Sequence, residues 1–436
     1  MAIFNIDSFK LRSNNDALYE VVMLADKYGN PIVGVNPTGT AADAFGRSRV
    51  SQPFTLFDSS HRYRDNGSWA TKVTGAGEAT FVPDEGIVDL TIGSASGDEI
   101  IRETLKVFSY QPGKSLQIMT TFAMGEEKEN LRQRVGYFGS ENGMYLEREG
   151  AETYFVERSI TSGSTVETRV PQSEWMYDPL DGSGPSGIVL EMDKGHILWM
   201  DFEWLGLGTV RMGFVINGEF IHCHSFHHSN IVTTTYITTA TLPLRMEMTN
   251  IGATVSPSKF KQVCATVISE GGYQLTGLQT AVGTPITTPK ALGTAGTFYP
   301  VVSLRLKDGF EDAVAIISAA SLIGLGNGPV YEWRIVEGSS ITTGAWTSGG
   351  ADSSVEYTTS GTAMTMTSPT RTLASGYTQS TNQSNAGIAL SKDALFKFQL
   401  SRDSLNGDRR TITLAVTSNT NNTSVYGSMD WEEITR

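Results

Sequence analysis

The sequence predicts an all-β chain built as two β-sandwiches, the second smaller, behind an extended N-terminal arm. Three observations lead there. Runs such as TFVPDEGIVDLTIG, RMGFVINGEFIHC and RTITLAVTS alternate apolar with polar residues, the period of strands that bury one face. The chain holds 45 Gly with many Ser and Thr, and lacks the long Leu/Glu/Lys/Ala periods that mark helices. Its 436 residues suffice for two or three domains, each large enough to bury a core without staples.

Residues 1–45 carry one hairpin pattern, ALYEVVMLADKYGNPIV, followed by the Gly/Pro/Thr run GVNPTGTAADAFG. With so little core of its own, this arm is expected to order on the next domain or on a neighbouring subunit. Residues 46–274 contain the densest alternation and predict one large sandwich, with Trp175, Trp199 and Trp204 in or near its core. Residues 275–298 have a single charge, Lys290, among frequent Gly, Pro and Thr, the composition of a linker. Residues 299–436 predict the second sandwich, from YPVVSLRLKDGF to VYGSMDWEEIT. Inside it, residues 339–386 read either as long loops or as extended strands with polar outer faces. No internal repeat relates the two halves.

Charge and composition exclude several classes. Lys+Arg number 33 against 46 Asp+Glu, a net charge of −13 spread along the chain, so duplex DNA would be repelled and no nucleic-acid partner is expected. The N-terminus carries early acids and no apolar core segment, unlike a secretory signal. The longest apolar stretch, residues 313–325, is broken by Ser318, Ser321 and Gly324 and is too short to cross a bilayer. These features predict a soluble protein made in a cytoplasm, without a membrane partner. Cys223 and Cys264 form no CxxC pair and read as small buried apolar residues.

The clearest local structure is ILWMDFEWLGLGTVRMGFVINGEFIHCHSF, residues 197–226. Asn217-Gly218 suits a type I′ hairpin turn, because both central positions need positive φ. The register that follows sets Ile216 against Glu219, Phe214 against Ile221, Met212 against Cys223 and Val210 against Ser225. With Asp201 opposite Arg211, Leu198, Met200 and Phe202 join the same buried face. The opposite face then carries the candidate binding or interface residues Trp199, Asp201, Arg211, His222, His224 and Phe226, with Asp201, Arg211 and His224 in one cross-strand row. Such a charged row beside aromatics can hold a sugar, bury an interface or brace a sheet.

Other motifs favour structural readings. Four of the six histidines fall in HCHSFHH, yet only His222, His224 and His228 can share a strand face and no acid is fixed beside them, so packing is favoured over a metal site. The pairs Glu191/Asp193 and Asp201/Glu203 have the same-face spacing used for glycoside hydrolysis, but Lys194, Gly195 and His196 stand where a third acid is wanted. DPLDGSGPSG, residues 178–187, resembles half of a calcium loop without the closing acids, and reads as a turn-rich loop. No catalytic residue, metal ligand or cofactor is assigned.

The strings AFGRSRVSQPFTLFDS, LDGSGPSGIVLEM, EWLGLGTVRMGFVINGEFIHCHSFHHSN, LPLRMEMTN and VCATVISEGGY, spread over residues 44–273, resemble a family of virion structural proteins of tailed phages, especially phages of cyanobacteria and other aquatic bacteria. Residues 299–436 are similar to a second β module found in such proteins. The large domain also resembles a concanavalin-type jelly roll, a fold shared by lectins, glycanases and inert shell and fibre modules. The resemblance implies a non-enzymatic component of the virion exterior, such as a capsid decoration protein, head fibre, baseplate or tail-fibre component. Its expected partners are other virion proteins and copies of itself, as a homo-oligomer and specifically a trimer. A host-surface glycan-binding, lectin-like role at the Trp199/Asp201/Arg211 face is the alternative.

Overall fold

A computed structural model of the chain describes residues 52–310, 312–380 and 397–434, together with the strand segments Phe9–Arg12, Leu18–Val21, Leu24–Ala25, Pro31–Ile32 and Ala386–Ala389. Met1–Gln52 forms one compact unit and Pro53–Arg436 another. In the first, Phe9–Arg12 pairs with Leu18–Val21 and Leu24–Ala25 with Pro31–Ile32, both antiparallel. The rest of the expected arm lies outside the described residues.

The second unit is all-β, and its larger lobe is a jelly-roll sandwich. One sheet, here the front sheet, runs Glu219–Phe226, Val210–Ile216, Gly195–Phe202, Ser115–Ala123, Ser258–Glu270, Ile87–Ile92 and Gly77–Val82. Pro53–Ser60 pairs with the C-terminal half of Ser258–Glu270, and Ile87–Ile92 with its N-terminal half. The back sheet runs Val166–Pro171, Glu152–Ser159, Gly143–Glu149, Leu131–Phe138, Leu244–Asn250, Glu99–Thr104 and Trp69–Thr74. Alternate residues of each meet in the core. Leu198, Met200, Phe202, Met212 and Phe214 come from the front, and Val135, Tyr137, Leu146, Phe155 and Met246 from the back. Tyr137 meets Phe202 edge-on at 5.5 Å, and its buried hydroxyl lies 2.8 Å from the Ala240 carbonyl and 3.1 Å from the Leu242 amide. That satisfies the polar tip of an otherwise apolar ring. Trp175 stacks on Phe155 at 4.1 Å within this core, and Trp204 packs at its margin, as the sequence led one to expect. Trp199 is buried but on the outer side.

The smaller C-terminal sandwich has its own core, around Val302, Leu304, Leu322, Tyr331, Leu414 and Trp431. Its sheets run Leu278–Gly283, Thr423–Glu433, Ala315–Gly324, Ala386–Ala389, and Thr347–Ser348, Val355–Thr358, Tyr299–Leu306, Ile412–Ser418, Val330–Thr342, Ala363–Gln379. Residues 275–298 do not behave as a free linker here. Leu278–Gly283 and Lys290–Leu292 both pair with the last strand, Thr423–Glu433, so the segment is stitched into the second sandwich. Thr, Gly and Pro suit an exposed edge strand as well as a linker, which is why composition misleads. Of the two readings of residues 339–386, extended strands prevail, with Ala363–Gln379 alone spanning 17 residues.

The lobes meet through a small apolar contact of Val314 and Ile316 with Val107, Leu275 and Ile434. Around it, the Arg402 amide donates to Leu105 O at 3.0 Å and the Gln399 side chain to Val107 O at 2.9 Å. Among the described residues no helix is long and apolar enough to cross a membrane.

Candidate functional site

The hairpin that carries the candidate face turns at Asn217 and Gly218, with φ of 53° and 83°, the left-handed pair a type I′ turn requires. From there the expected register holds through Ile216 with Glu219, Phe214 with Ile221 and Gly213 with His222. Asp201 lies opposite Arg211, again as expected. Beyond Gly213 the strand bulges, so that Met212 pairs with His224, Arg211 with Ser225 and Val210 with Phe226.

The bulge corrects two of the six candidate residues. Cys223 and His224 together oppose Met212, and at such a bulge both side chains follow the single residue opposite. His224 therefore turns inward, 5% exposed, 6.5 Å from Phe155 of the back sheet and 4.8 Å from Phe226. Burial pushes its imidazole down to about 4, with the charges of His222 and His227 acting in the same direction, so the ring is neutral. Phe226 also joins the core. The cross-strand row is Asp201, Arg211 and Ser225, without His224. Gly213 makes the bulge possible: a Cβ there would lie 1.9 Å from the Ile221 carbonyl oxygen.

The other four residues converge on the outer face of the front sheet. Asp201 ties the Ser115 hydroxyl and the Arg211 guanidinium. That guanidinium lies 5.7 Å from the centre of the Trp199 ring, within cation–π range. Trp199 in turn meets Phe220 edge-on at 5.6 Å and His222 at 6.0 Å, and His222 packs 4.2 Å from Tyr177. Burial lowers the His222 pKa, leaving a neutral ring whose Nε2 sits 2.9 Å from the Ser225 hydroxyl. The strip ends in exposed aromatic surface: Phe220 is 54% exposed and Tyr177 43%. Beside it opens a cleft of about 490 Å³ lined by Asp201, Arg211, Glu203, Glu270, Lys114 and Tyr110. A ring-and-charge strip next to a polar cleft suits a polyhydroxylated ligand, whose apolar faces stack and whose hydroxyls bond.

The remaining motifs resolve structurally. His222 faces outward, His224 inward, and His228 donates 2.6 Å to Glu157 while stacking 3.8 Å from Tyr236, so the three do not meet. Asp178 is buried and accepts the amides of Leu180 at 2.9 Å and Ser186 at 2.8 Å, which closes the loop of residues 178–187 on its own backbone. Glu191 and Asp193 precede Lys194 in an exposed turn, with its ammonium 3.9 and 3.7 Å away. Glu203 accepts the Thr209 amide at 3.1 Å across the connection between two front strands.

One cluster escaped the sequence reading. On the outer face of the back sheet, Arg134 reaches Glu147 at 2.5 Å, Glu167 at 3.1 Å and Glu247 at 3.4 Å, while Arg245 bridges Glu247 and Glu103 and Arg158 holds Glu167. Guanidinium groups of Arg134 and Arg158 lie 5.1 and 5.0 Å from the buried Tyr145 ring. Burial would raise the Glu247 pKa, but Arg245 and Arg134 overcome it and hold the carboxyl below its ordinary range. The signal was present as charges at alternate positions in LRQRVGYF, YLERE and LRMEM.

No family model matches the chain, and no curated protein does. Among solved structures, a β-glucanase of Bacillus licheniformis is 12% identical and covers 48% of this chain and 97% of its own, with a TM-score of 0.33. The carbohydrate recognition domain of Emp47p is 9% identical, over 52% of this chain and 100% of its own, at 0.33. The CBM2 module of the evolved Dit of Lactobacillus casei BL23 phage J-1 is 7% identical, over 52% and 100%, at 0.33.

Proposed function

We propose that the protein is a non-catalytic structural component of the exterior of a tailed-phage particle, acting through protein–protein assembly as a homo-oligomer, specifically a trimer. The supporting observation is where the virion-like strings fall. Their polar groups are spent on the scaffold: Asp178 closes the loop of LDGSGPSG, Asn217-Gly218 makes the hairpin turn, and Asp201 clamps Ser115 and Arg211. Among the described residues, those that carry the resemblance thus serve the sandwich itself, which supports a structural role. Immunogold labelling of intact particles with antibody to this chain tests the reading, and absence of label from particles of a phage encoding it would sink it. Light scattering tests the trimer; a monodisperse monomer rejects it.

A second reading is favoured by one observation, the exposed aromatic edge of the Trp199/Phe220/Tyr177 strip beside its polar cleft. In that reading the virion component holds host-surface glycans on its front face. Phe220→Ala removes a half-exposed ring and spares the core, so glycan-array signal should fall with no change in melting temperature. Retained signal in Phe220→Ala and Tyr177→Ala would reject it.

A further inference from the structure

Two cavities in this acidic chain are basic, and they share a wall. One, of about 400 Å³, opens between the lobes and carries Lys106, Arg371, Lys397 and Arg410 against two carboxylates, Asp58 and Glu337. The other, of about 250 Å³, lies in the C-terminal sandwich and carries Arg305, Arg409 and the same Arg410 beside Trp346, with Asp408 an acid among its described lining residues. Among the described lining residues six cations thus face three acids, with Glu356 a fourth carboxylate behind Arg305 and Arg409, in a chain whose net charge is −13. Such local reversal of sign concentrates anions.

The arrangement is built rather than incidental. Arg371 is held across the lobe junction by the carbonyls of Asn66 at 3.0 Å and Gly67 at 2.8 Å, so its guanidinium is fixed at the cavity. Glu337 is buried and accepts the Ser401 hydroxyl at 2.6 Å. Arg305 and Arg409 share a single carboxylate, Glu356, at 2.7 and 3.1 Å, and Arg305 also lies 3.9 Å from the Trp346 ring centre. Arg410, common to both cavities, makes no ion pair or hydrogen bond with any described residue. Burial drives the Lys106 ammonium down to about 8, with Glu337 partly opposing it and Arg371 acting in the same direction as burial.

We propose that the paired cavities bind an acidic saccharide, with its carboxylate or phosphate on Arg410 and its ring in the Trp346 cavity. An arginine fork matches either oxyanion, the indole supplies an apolar surface for the ring, and Thr411 and Ser340 line the same space. The site is separate from the front-face strip and stands whether or not that strip binds glycans.

Isothermal titration calorimetry on the full chain tests it with three ligands: an oligogalacturonate, glucose 6-phosphate and a neutral oligogalactose. Binding of at least one acidic ligand without binding of the neutral one is expected, and which acid binds separates the carboxylate from the phosphate source. Arg410→Gln should weaken that binding by roughly tenfold or more, the loss expected for a charge-assisted contact. Exposed Lys194→Gln, distant in sequence and in a turn of the other lobe, should change nothing. If Arg410→Gln lowers the melting temperature, Lys397→Gln replaces it, since that side chain is exposed at the cavity mouth and should still weaken binding. The proposal is overturned if neutral and acidic sugars bind alike, if neither acid binds at millimolar concentration, or if both substitutions leave affinity unchanged.

Discussion

Replacing Arg134 by Met probes how the back sheet tolerates charge on a face with almost no water. Arg134 is 6% exposed and addresses three carboxylates, Glu147, Glu167 and Glu247, themselves 0%, 28% and 7% exposed. Breaking a buried pair by removing one partner costs about 3–5 kcal/mol, because the survivor is left uncompensated. Here each survivor keeps another cation: Glu147 has Arg169 at 2.5 Å, Glu167 has Arg158 at 2.8 Å and Glu247 has Arg245 at 2.6 Å. The loss should therefore sit at the lower end, about 3 kcal/mol. With a urea slope of about 3 kcal/mol/M for a unit of this size, the unfolding midpoint falls by about 1 M. Adding Glu147→Leu to Arg134→Met should recover part of the loss, because the most deeply buried of the three carboxylates, 0% exposed, then goes with its main partner and leaves only the part-exposed Arg169 behind. Urea unfolding followed by tryptophan fluorescence reads both variants. A shift under 0.3 M for Arg134→Met, about 1 kcal/mol on the same slope, would refute the idea that these charges are effectively desolvated.

Glu167, Glu247 and Glu433 all have carboxyls held below the ordinary range despite burial, the first two by arginines and Glu433 by Ser353, Ser354 and Trp431. Groups with depressed folded pKa contribute stability above their unfolded values and lose it as pH falls, so the urea midpoint should drop below about pH 4.5, and a flat profile down to pH 3 would contradict this. His228 has the opposite sign: burial would lower it, but Glu157 and the Gly208 carbonyl hold its proton and raise it. Its contribution is complete below about pH 6.5 and lost as pH rises through the folded value, a slope that Glu157→Gln should abolish in the same titration. Gly213→Ala should cost more than about 2 kcal/mol, since the Ile221 carbonyl and Cys223 amide of the neighbouring strand block the new methyl at the bulge; a neutral result in thermal melts would refute the bulge at this position. A fragment of residues 275–436 should melt cooperatively and above residues 299–436, which lack two strands paired to Thr423–Glu433; equal melting temperatures would show those edge strands to be dispensable.

What was legible in the sequence follows from how local the signal was. Asn217-Gly218 fixed a turn by backbone sterics alone, and with it the inward set Leu198, Met200, Phe202, Met212 and Phe214. The bulge four pairs beyond the turn was illegible, because His-Cys-His-Ser-Phe presents no alternation that distinguishes one register from the next. Only the three-dimensional closeness of Gly213 to the Ile221 carbonyl identifies it. The edge strands Leu278–Gly283 and Lys290–Leu292 failed for another reason, since their pairing partner lies some 140 residues away in Thr423–Glu433. Charge alternation in the back sheet was visible as text, but whether alternate Arg and Glu meet solvent or each other depends on which strands become neighbours.

The two outer faces of the jelly roll use the same residue types to opposite ends, and exposure decides between them. On the back sheet, Phe138 and Tyr145 are 0% exposed, capped by Arg158 and Arg134, whose charges are neutralised by Glu167, Glu147 and Glu247. Nothing there is left for a ligand without dismantling a buried network, at a cost of several kcal/mol. On the front sheet the pair of Asp201 with Arg211 braces Trp199, and Arg211 remains 52% exposed while Phe220 and Tyr177 reach solvent. On the glycan-binding reading proposed for this face, truncating a rim group there should perturb recognition more than folding, because little desolvation has been invested in it. On that reading, substitutions that abolish glycan binding while sparing stability should fall on Phe220, Tyr177 and Arg211, and those that destabilise without touching a ligand on Arg134, Glu147 and Arg245.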